Sequence, residues 1–416
     1  MILDKRRFAD RVTDLLLAFF LIMNMQTVYS YSISHSYHIY ELSFIMAAAS
    51  ALYRLIRFGI NYKRLFILIA GTIFYYVYIA VFAAFSVKSG DMFNFFSRFA
   101  ALPLTALYFF CGKETRDYTE LFRFFINIMA VICAVSLFFW FMSSFLGIIQ
   151  PTGIEELDWS GSRSSAKSYY GLYFELQWAD IFGLHMMRNC GIFMEGPKFS
   201  QAIITALMAA FIFRGKIKVT KLQYAIFIIA LITTFSVAGY LYLAILAAAF
   251  IFESRRYRRF IIIALPIAAA LGLYLWSIKK HTGSGSLRIR DYILGFKILA
   301  DHPIFGAGFK STGDVFLNVY HESWNASSNG FSVVMGEGGL WLLSVYMLPI
   351  IYGIRLGCKL WDIRPVFAAL SYFYLFVTVD FHMEFINFYI WFLLCMKEFY
   401  AKPLFDLENV KYCQEA

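Results

Sequence analysis

Charge is scarce in this chain. Asp, Glu, Lys and Arg make up 15% of its 416 residues, against 60% hydrophobic residues. A soluble globular surface needs more charge than this, so the composition excludes a soluble domain and indicates a polytopic membrane protein. Cysteine is scarce as well: Cys111, Cys358 and Cys413 fall at expected cytoplasmic positions, Cys133 and Cys395 lie in apolar runs, and only Cys190 is near the outer surface. No pair is placed to form an intramolecular disulfide. The sequence has no HExxH, no zinc-spaced Cys/His cluster, no Walker loop and no DxD pair, the nearest approach being Glu156-Leu157-Asp158. Metal-dependent chemistry has no motif to rest on, and neither metal nor cofactor is expected. Internal repeats and low-complexity linkers are missing too, so residues 1–416 read as one integral membrane domain.

What is present is a series of apolar windows of roughly the 17–25 residues that span a bilayer. They fall near 13–31, 39–57, 64–86, 92–111, 121–149, 191–213, 221–236, 238–252, 260–278, 331–354, 364–380 and 384–400. The expected fold class is therefore an all-α polytopic membrane protein of about 12 transmembrane helices. Windows 221–236 and 238–252 are short, but both outer flanks are basic, which requires a hairpin with a tight turn at Ser236-Val237-Ala238-Gly239. The net charge of +10 comes in short clusters between the windows, the pattern of topology signals and not of nucleic-acid binding. Alternating sides from a cytoplasmic N-terminus puts 25 of the 37 lysines and arginines inside, with both termini cytoplasmic. Lys5, Arg6, Arg7 and Arg11 precede an apolar run without a small-residue cleavage site, as in a retained first span. Two long outer loops remain, 150–190 and 279–330. All seven histidines (His35, His38, His185, His281, His302, His321, His382) fall outside or at outer helix ends.

The loop 279–330 concentrates cations, histidines and glycines, which suits a polar and anionic ligand. Within it Ile289, Ile293, Phe296 and Ala300 recur at helical spacing, giving an amphipathic helix for the membrane surface. His302-Pro303 should end this helix, and Gly306 and Gly308 permit the turn beyond it. Arg288 and Arg290 suit either bidentate phosphate binding or headgroup contact. A second polar focus runs from Arg188 through Glu195-Gly196-Pro197-Lys198 to Gln201 at the entry of the sixth window. Irregular backbone at that depth is tolerated against protein or a wet cavity, although Arg188 and Lys198 also have the reach to snorkel. Arg98, near Asn94 and Ser97 in the fourth window, should face the bundle interior with an anion, or snorkel. Trp159, Tyr169, Tyr170, Tyr173, Phe174 and Trp178 suit sugar rings or an interfacial belt equally well.

At these blocks the chain resembles bacterial O-antigen, capsular and exopolysaccharide polymerases of the O-antigen ligase/polymerase superfamily. RNCGIFMEGPKFSQ is similar to their R-x-x-G-x-F-x-E-P pattern, and TFSVAGYLYL to the Ser-x-x-Gly hairpin that follows. SLRIRDYILGFKILADHPIFGAGF resembles the block shared with the ligases, and SSNGFSVVMGEGGLWLL the next, with Asn329, Glu337, Gly339 and Leu340 matching. The resemblance covers about 185–345. Gly196 intervenes between Glu195 and Pro197, and Ser328 stands where ligases carry a catalytic histidine. That second departure favours polymerase over ligase.

The resemblance implies a C-type-like helical glycosyltransferase in the bacterial cytoplasmic (inner) membrane, joining undecaprenyl-pyrophosphate-linked oligosaccharides at its outer face. Partners would be that substrate, membrane lipid and a chain-length regulator, with no nucleic acid. Arg188, Arg288, Arg290, Arg98, Lys198 and Asn329 would bind substrate or pyrophosphate, and Glu195, His321 or Glu337 would act as general base. The alternatives are an O-antigen ligase transferring the finished glycan and, in another class, a lipid-linked oligosaccharide flippase.

Overall fold

In a computed structural model, described for residues 2–35, 37–111, 116–159, 162–181, 184–253, 283–318 and 328–400, the chain is mostly helical. Among the described residues four helices have the length and composition to cross a membrane: Ile39–Phe58, Tyr62–Ser86, Tyr118–Phe145 and Gly330–Leu360. Five shorter apolar helices accompany them: Gly196–Ile212, Lys221–Thr233, Val237–Glu253, Ile363–Thr378 and Phe385–Cys395. The protein is a helical membrane protein whose outward faces are apolar. Along α3 (Tyr62–Ser86), for example, Phe66, Phe74 and Phe85 are 72%, 72% and 74% exposed, which suits acyl chains and not water. The window 260–278 lies outside the described residues.

Windows 13–31 and 92–111 do not form continuous helices. The first helix, α1 (Ile2–Met23), stops eight residues before the end of window 13–31, because residues 26–33 are engaged elsewhere. Val28 N–H donates to Ile192 O (2.9 Å), Met194 N–H to Gln26 O (3.1 Å), and Ile33 N–H to Glu156 O (2.9 Å). Window 92–111 breaks at Ala100 into α4 (Met92–Phe99) and α5 (Ala101–Phe110). Pro103 has no N–H to offer the Phe99 carbonyl. That carbonyl accepts the Tyr75 hydroxyl instead, at 3.1 Å.

After α2 (Ile39–Phe58) and the helices that follow it comes α6 (Arg116–Phe139), extended by a wider turn over Trp140–Phe145, and then a strand-rich excursion. The expectation of an all-α chain fails here. Strands β1 (Gly153–Trp159), β2 (Ser162–Tyr169) and β3 (Tyr173–Glu175) form an antiparallel meander, with Gly153 opposite Ser168 and Tyr169 opposite Tyr173. A separate hairpin pairs β4 (Trp178–Ile181) with β5 (Leu184–Met187). Segment 31–33 covers the open edge of β1, its Tyr31 carbonyl accepting Asp158 N–H at 3.0 Å.

Helix α7 (Gly196–Ile212), started by Pro197 in its first turn, is buried along its whole length and forms the axis of the bundle. α8 (Lys221–Thr233) opens with a reciprocal Thr220/Gln223 capping box. It turns back through Thr234–Ser236 into α9 (Val237–Glu253), so the expected hairpin is present with its turn slightly earlier than Ser236–Gly239. The amphipathic helix in the second long loop is α10 (Gly283–Asp301), ending before His302-Pro303 as its sequence requires. Ile293 and Phe296 point outward, while Leu294 and Ile298 are buried. A short α11 (Thr312–Asn318) follows, then α12 (Gly330–Leu360), α13 (Ile363–Thr378) and α14 (Phe385–Cys395).

Helix α12 is discontinuous. Gly339 adopts φ 54°, ψ −155°, and the backbone groups freed there are taken up by the turn after α10. Ala307 N–H donates to Gly336 O (2.8 Å), Gly308 N–H to Glu337 O (3.0 Å), Leu340 N–H to Pro303 O (2.9 Å) and Trp341 N–H to Ile304 O (2.9 Å). The two glycine-rich blocks are thus one structural device, in which a turn satisfies a broken helix. A Cβ on Gly306 would fall 2.5 Å from Gly336 O. Gly306→Ala is expected to cost at least the roughly 1–3 kcal/mol typical of one strained residue, read as a lower Tm of the purified protein in detergent. An unchanged Tm would mean that the two segments separate easily.

Candidate functional site

The short connection from α13 to α14, residues 379–384, is a point on which several distant segments converge. Its sequence is Val379-Asp380-Phe381-His382-Met383-Glu384. Lys198 of α7 donates to Glu384 Oε1 (3.3 Å) and to the Asp380 carbonyl, and Gln201 Nε2, one helical turn on, donates to Glu384 Oε2 (2.5 Å). His382 Nδ1 donates to Asp380 Oδ1 at 2.6 Å. The His382 carbonyl accepts Tyr346 OH (3.0 Å) and Asn387 Nδ2 (3.1 Å), so the segment is held from both sides. Asn24 Oδ1 accepts Phe385 N–H (2.9 Å), which ties the start of α14 to the end of α1.

Electrostatics set these carboxyls apart. Burial pushes Glu384 up to about 7, against the lowering effects of Lys198 and Gln201. Burial also acts to raise Asp380, but His382, Lys198 and Arg98 outweigh it and hold this carboxyl below its ordinary value. Two acidic groups four residues apart therefore differ in protonation near neutral pH, the arrangement that separates acid–base work from charge holding. Burial, and then Asp380 and Glu384, push the Tyr31 hydroxyl well above the usual phenol range, so it stays a neutral donor.

Above this segment opens a polar cavity of about 410 Å³. This is within the range of small-molecule sites. Its walls carry Tyr29, Tyr31, Tyr37 and Tyr40 beside Asn24 and Gln26, with Arg98 and Glu384 also lining it. Arg98 Nε donates to Asn94 Oδ1 (2.9 Å) and its guanidinium lies 5.6 Å from the Tyr40 ring centre. Aromatic faces beside amide, hydroxyl and charged groups match carbohydrate, whose rings present apolar CH faces and polar edges.

Of the residues singled out from sequence, the structure brings Arg98 and Lys198 to this site. Glu195 precedes α7 and is within electrostatic reach of Tyr31. Glu337 is half-buried beside the break in α12 and within reach of Tyr346. Arg288 Nη1 donates to Thr378 O (2.6 Å), bracing the same connection from α10 without lining the cavity. Arg290 lies 3.8 Å from Asp291, which also accepts Ser328 N–H (3.0 Å). Asn329 Oδ1 caps α12 through Ser332 N–H (2.8 Å), a structural use of that side chain. Arg188 runs alongside Gly196, and its Nε has no hydrogen-bond partner among the described residues. His321 lies outside the described residues.

The aromatic cluster of 159–178, which suited sugar rings or an interfacial belt equally well, is mostly withdrawn from either use. Tyr169, Tyr173 and Phe174 are buried in packing under the meander, leaving Tyr170 and Trp178 as its well-exposed members. Aromatic and amide groups around a cavity occur instead at residues 24–41. The run Tyr29-Ser-Tyr31-Ser, followed by Tyr37-His38-Ile-Tyr40, was the available signal, hidden because its first half lay in an assumed span. Asp380 and Glu384 were missed for a similar reason, sitting at the ends of two apolar windows.

Neither a protein-family model nor a curated protein sequence matches this chain.

Proposed function

We propose that this protein is a polysaccharide polymerase, a metal-independent glycosyltransferase that joins undecaprenyl-pyrophosphate-linked oligosaccharide repeat units at the outer face of the bacterial cytoplasmic membrane. In this reading about twelve spans of C-type-like architecture, with both termini cytoplasmic, carry the cavity toward the outside. The observation that supports it most is a convergence. Three blocks that resemble the polymerase family, around 188–201, 286–309 and 327–343, all bond to the α13–α14 connection or its edge, through Lys198 and Gln201, Arg288, and Gly330 N–H to Val379 O (3.1 Å).

The chemistry follows from the groups at the cavity. An acceptor hydroxyl oxygen attacks the anomeric carbon of the lipid-linked chain, and the bond from that carbon to the pyrophosphate oxygen breaks, its electron pair leaving with the lipid pyrophosphate. The hydroxyl proton passes to Glu384, whose carboxyl titrates near neutrality. Arg98 faces the charge that grows on the leaving phosphate, as a fixed cation suits.

The test is polysaccharide chain length, by gel, from cells deleted for the protein and complemented with wild type or Arg98→Ala. The expected result is collapse of a ladder to single capped units, restored by wild type and reduced at least about tenfold in the variant, a loss of some 1.4 kcal/mol of transition-state stabilisation. Long chains left on the lipid carrier after deletion would replace this reading with a ligase. Loss of all outer-face glycan, with units trapped inside, would replace it with a flippase.

A further inference from the structure

The end of the bundle opposite Glu384 carries a second composite feature, independent of the reading above. Arg64 near the start of α3, Arg355 and Lys359 near the end of α12, and Lys397 just beyond α14 line a cavity of about 740 Å³ in which Glu398 is the one carboxylate among the described lining residues. Arg355, Lys359 and Lys397 are exposed, so the cavity mouth is strongly cationic. An apolar groove of about 300 Å³ continues from it between α3, α5 and α14, the two sharing Ile67, Phe110 and Cys395. The groove is hollow because small side chains line it. Gly71, Thr72 and Ala106 stand where larger residues would close it, and a Cβ on Gly71 would meet nothing within 4 Å.

A cationic mouth leading into an apolar channel is the negative image of an amphiphile with an anionic head. Arg64 and Thr72 are about 12 Å apart along α3 at 1.5 Å per residue, long enough to lay a stretch of acyl chain against the helix. A free phosphate would leave the groove empty, and a zwitterionic head would bring its own cation toward four others. We propose that this is a binding site for an anionic phospholipid, its phosphate held by Arg64, Arg355, Lys359 and Lys397 and one acyl chain lying in the groove beside Gly71.

The experiment is thermal unfolding of the full-length protein in detergent micelles doped with phosphatidylglycerol, phosphatidylcholine or inorganic phosphate. Two variants separate head from tail: Arg355→Glu with Lys359→Glu reverses the mouth, and Gly71→Leu fills the groove without a backbone clash. Phosphatidylglycerol is expected to raise Tm in a saturable way, because a ligand bound to the folded state alone stabilises it. Each variant is expected to raise the half-saturating lipid concentration at least about tenfold, with phosphatidylcholine and phosphate giving no saturable shift. Equal shifts with phosphatidylcholine, a shift from phosphate alone, no shift with any of the three, or full retention of binding by either variant would overturn the site. None of these outcomes touches chain-length assays, so the site and the polymerase reading stand or fall separately.

Discussion

Glu384→Gln is expected to lower turnover of purified protein on lipid-linked repeat units by about 10²–10⁴-fold, the usual contribution of a positioned general base. The physical argument lies in where this carboxyl sits. It is 4% exposed at the floor of the polar cavity, within reach of Lys198 and Gln201, and its pKa is raised to about 7. A base works as the carboxylate, so activity should climb with pH through about 7 and level off above about pH 8, where nearly all of the group is deprotonated. The opposite slope would belong to a group needed in its protonated form. In Glu384→Gln the residual activity should lose this rising limb, a change that a merely structural role would not produce. Activity within threefold of wild type, or an unchanged pH profile, would remove Glu384 from the reaction.

Lys198→Met should produce the largest loss of stability of any single change at the site. Its ammonium and the Glu384 carboxylate are 3% and 5% exposed, and removing one member of a buried pair leaves the other uncompensated. Losses of about 3–5 kcal/mol are typical of such a break. The Asp380 carbonyl also loses its donor from Lys198. Glu384 has a partial escape, since without Lys198 its pKa rises further and it takes up a proton, so the deficit should stay level below about pH 7 and grow above it. The double variant Lys198→Met with Glu384→Gln removes both charges and is expected to recover more than half of the lost stability while remaining inactive. A Tm for Lys198→Met equal to wild type, or a double variant no more stable than the single one, would show that the pair does not hold α7 to the α13–α14 connection.

Both variants depend on residues whose visibility in the sequence differed. Lys198 and Arg98 stood out because a charge inside an apolar window is costly and must face protein, water or a partner. Glu384 did not stand out, since it sits where one window ends and the next begins, a place where charged residues are ordinary. The spacing Asp380-Phe-His382-Met-Glu384 puts two carboxyls and an imidazole within five residues, yet whether they face solvent or the bundle depends on α7 packing behind them. The glycine blocks show the same division. Each read separately as a turn or a helix entry, but that Gly306 fits against the broken turn of α12 at Gly339 is a relation between segments some thirty residues apart.

By itself the sequence determined that this is a helical membrane protein. Composition and run length decide that matter before any contact forms, because a chain with so few charges cannot face water over a globular surface. It also determined the amphipathic α10 and its stop at His302-Pro303, the α8–α9 hairpin, and the presence of cations at Arg98 and Lys198, all local properties of periodicity, proline and charge. Only the tertiary structure decided where the helices break, that strands form at 153–159, 162–169, 173–175, 178–181 and 184–187, and that the tyrosines of 29–40 ring the cavity in place of those near 169–173. These are outcomes of competition for backbone partners and for burial between segments far apart in the chain. No local pattern encodes which distant carbonyl an N–H will find, and so no local pattern places Glu384 beside Lys198.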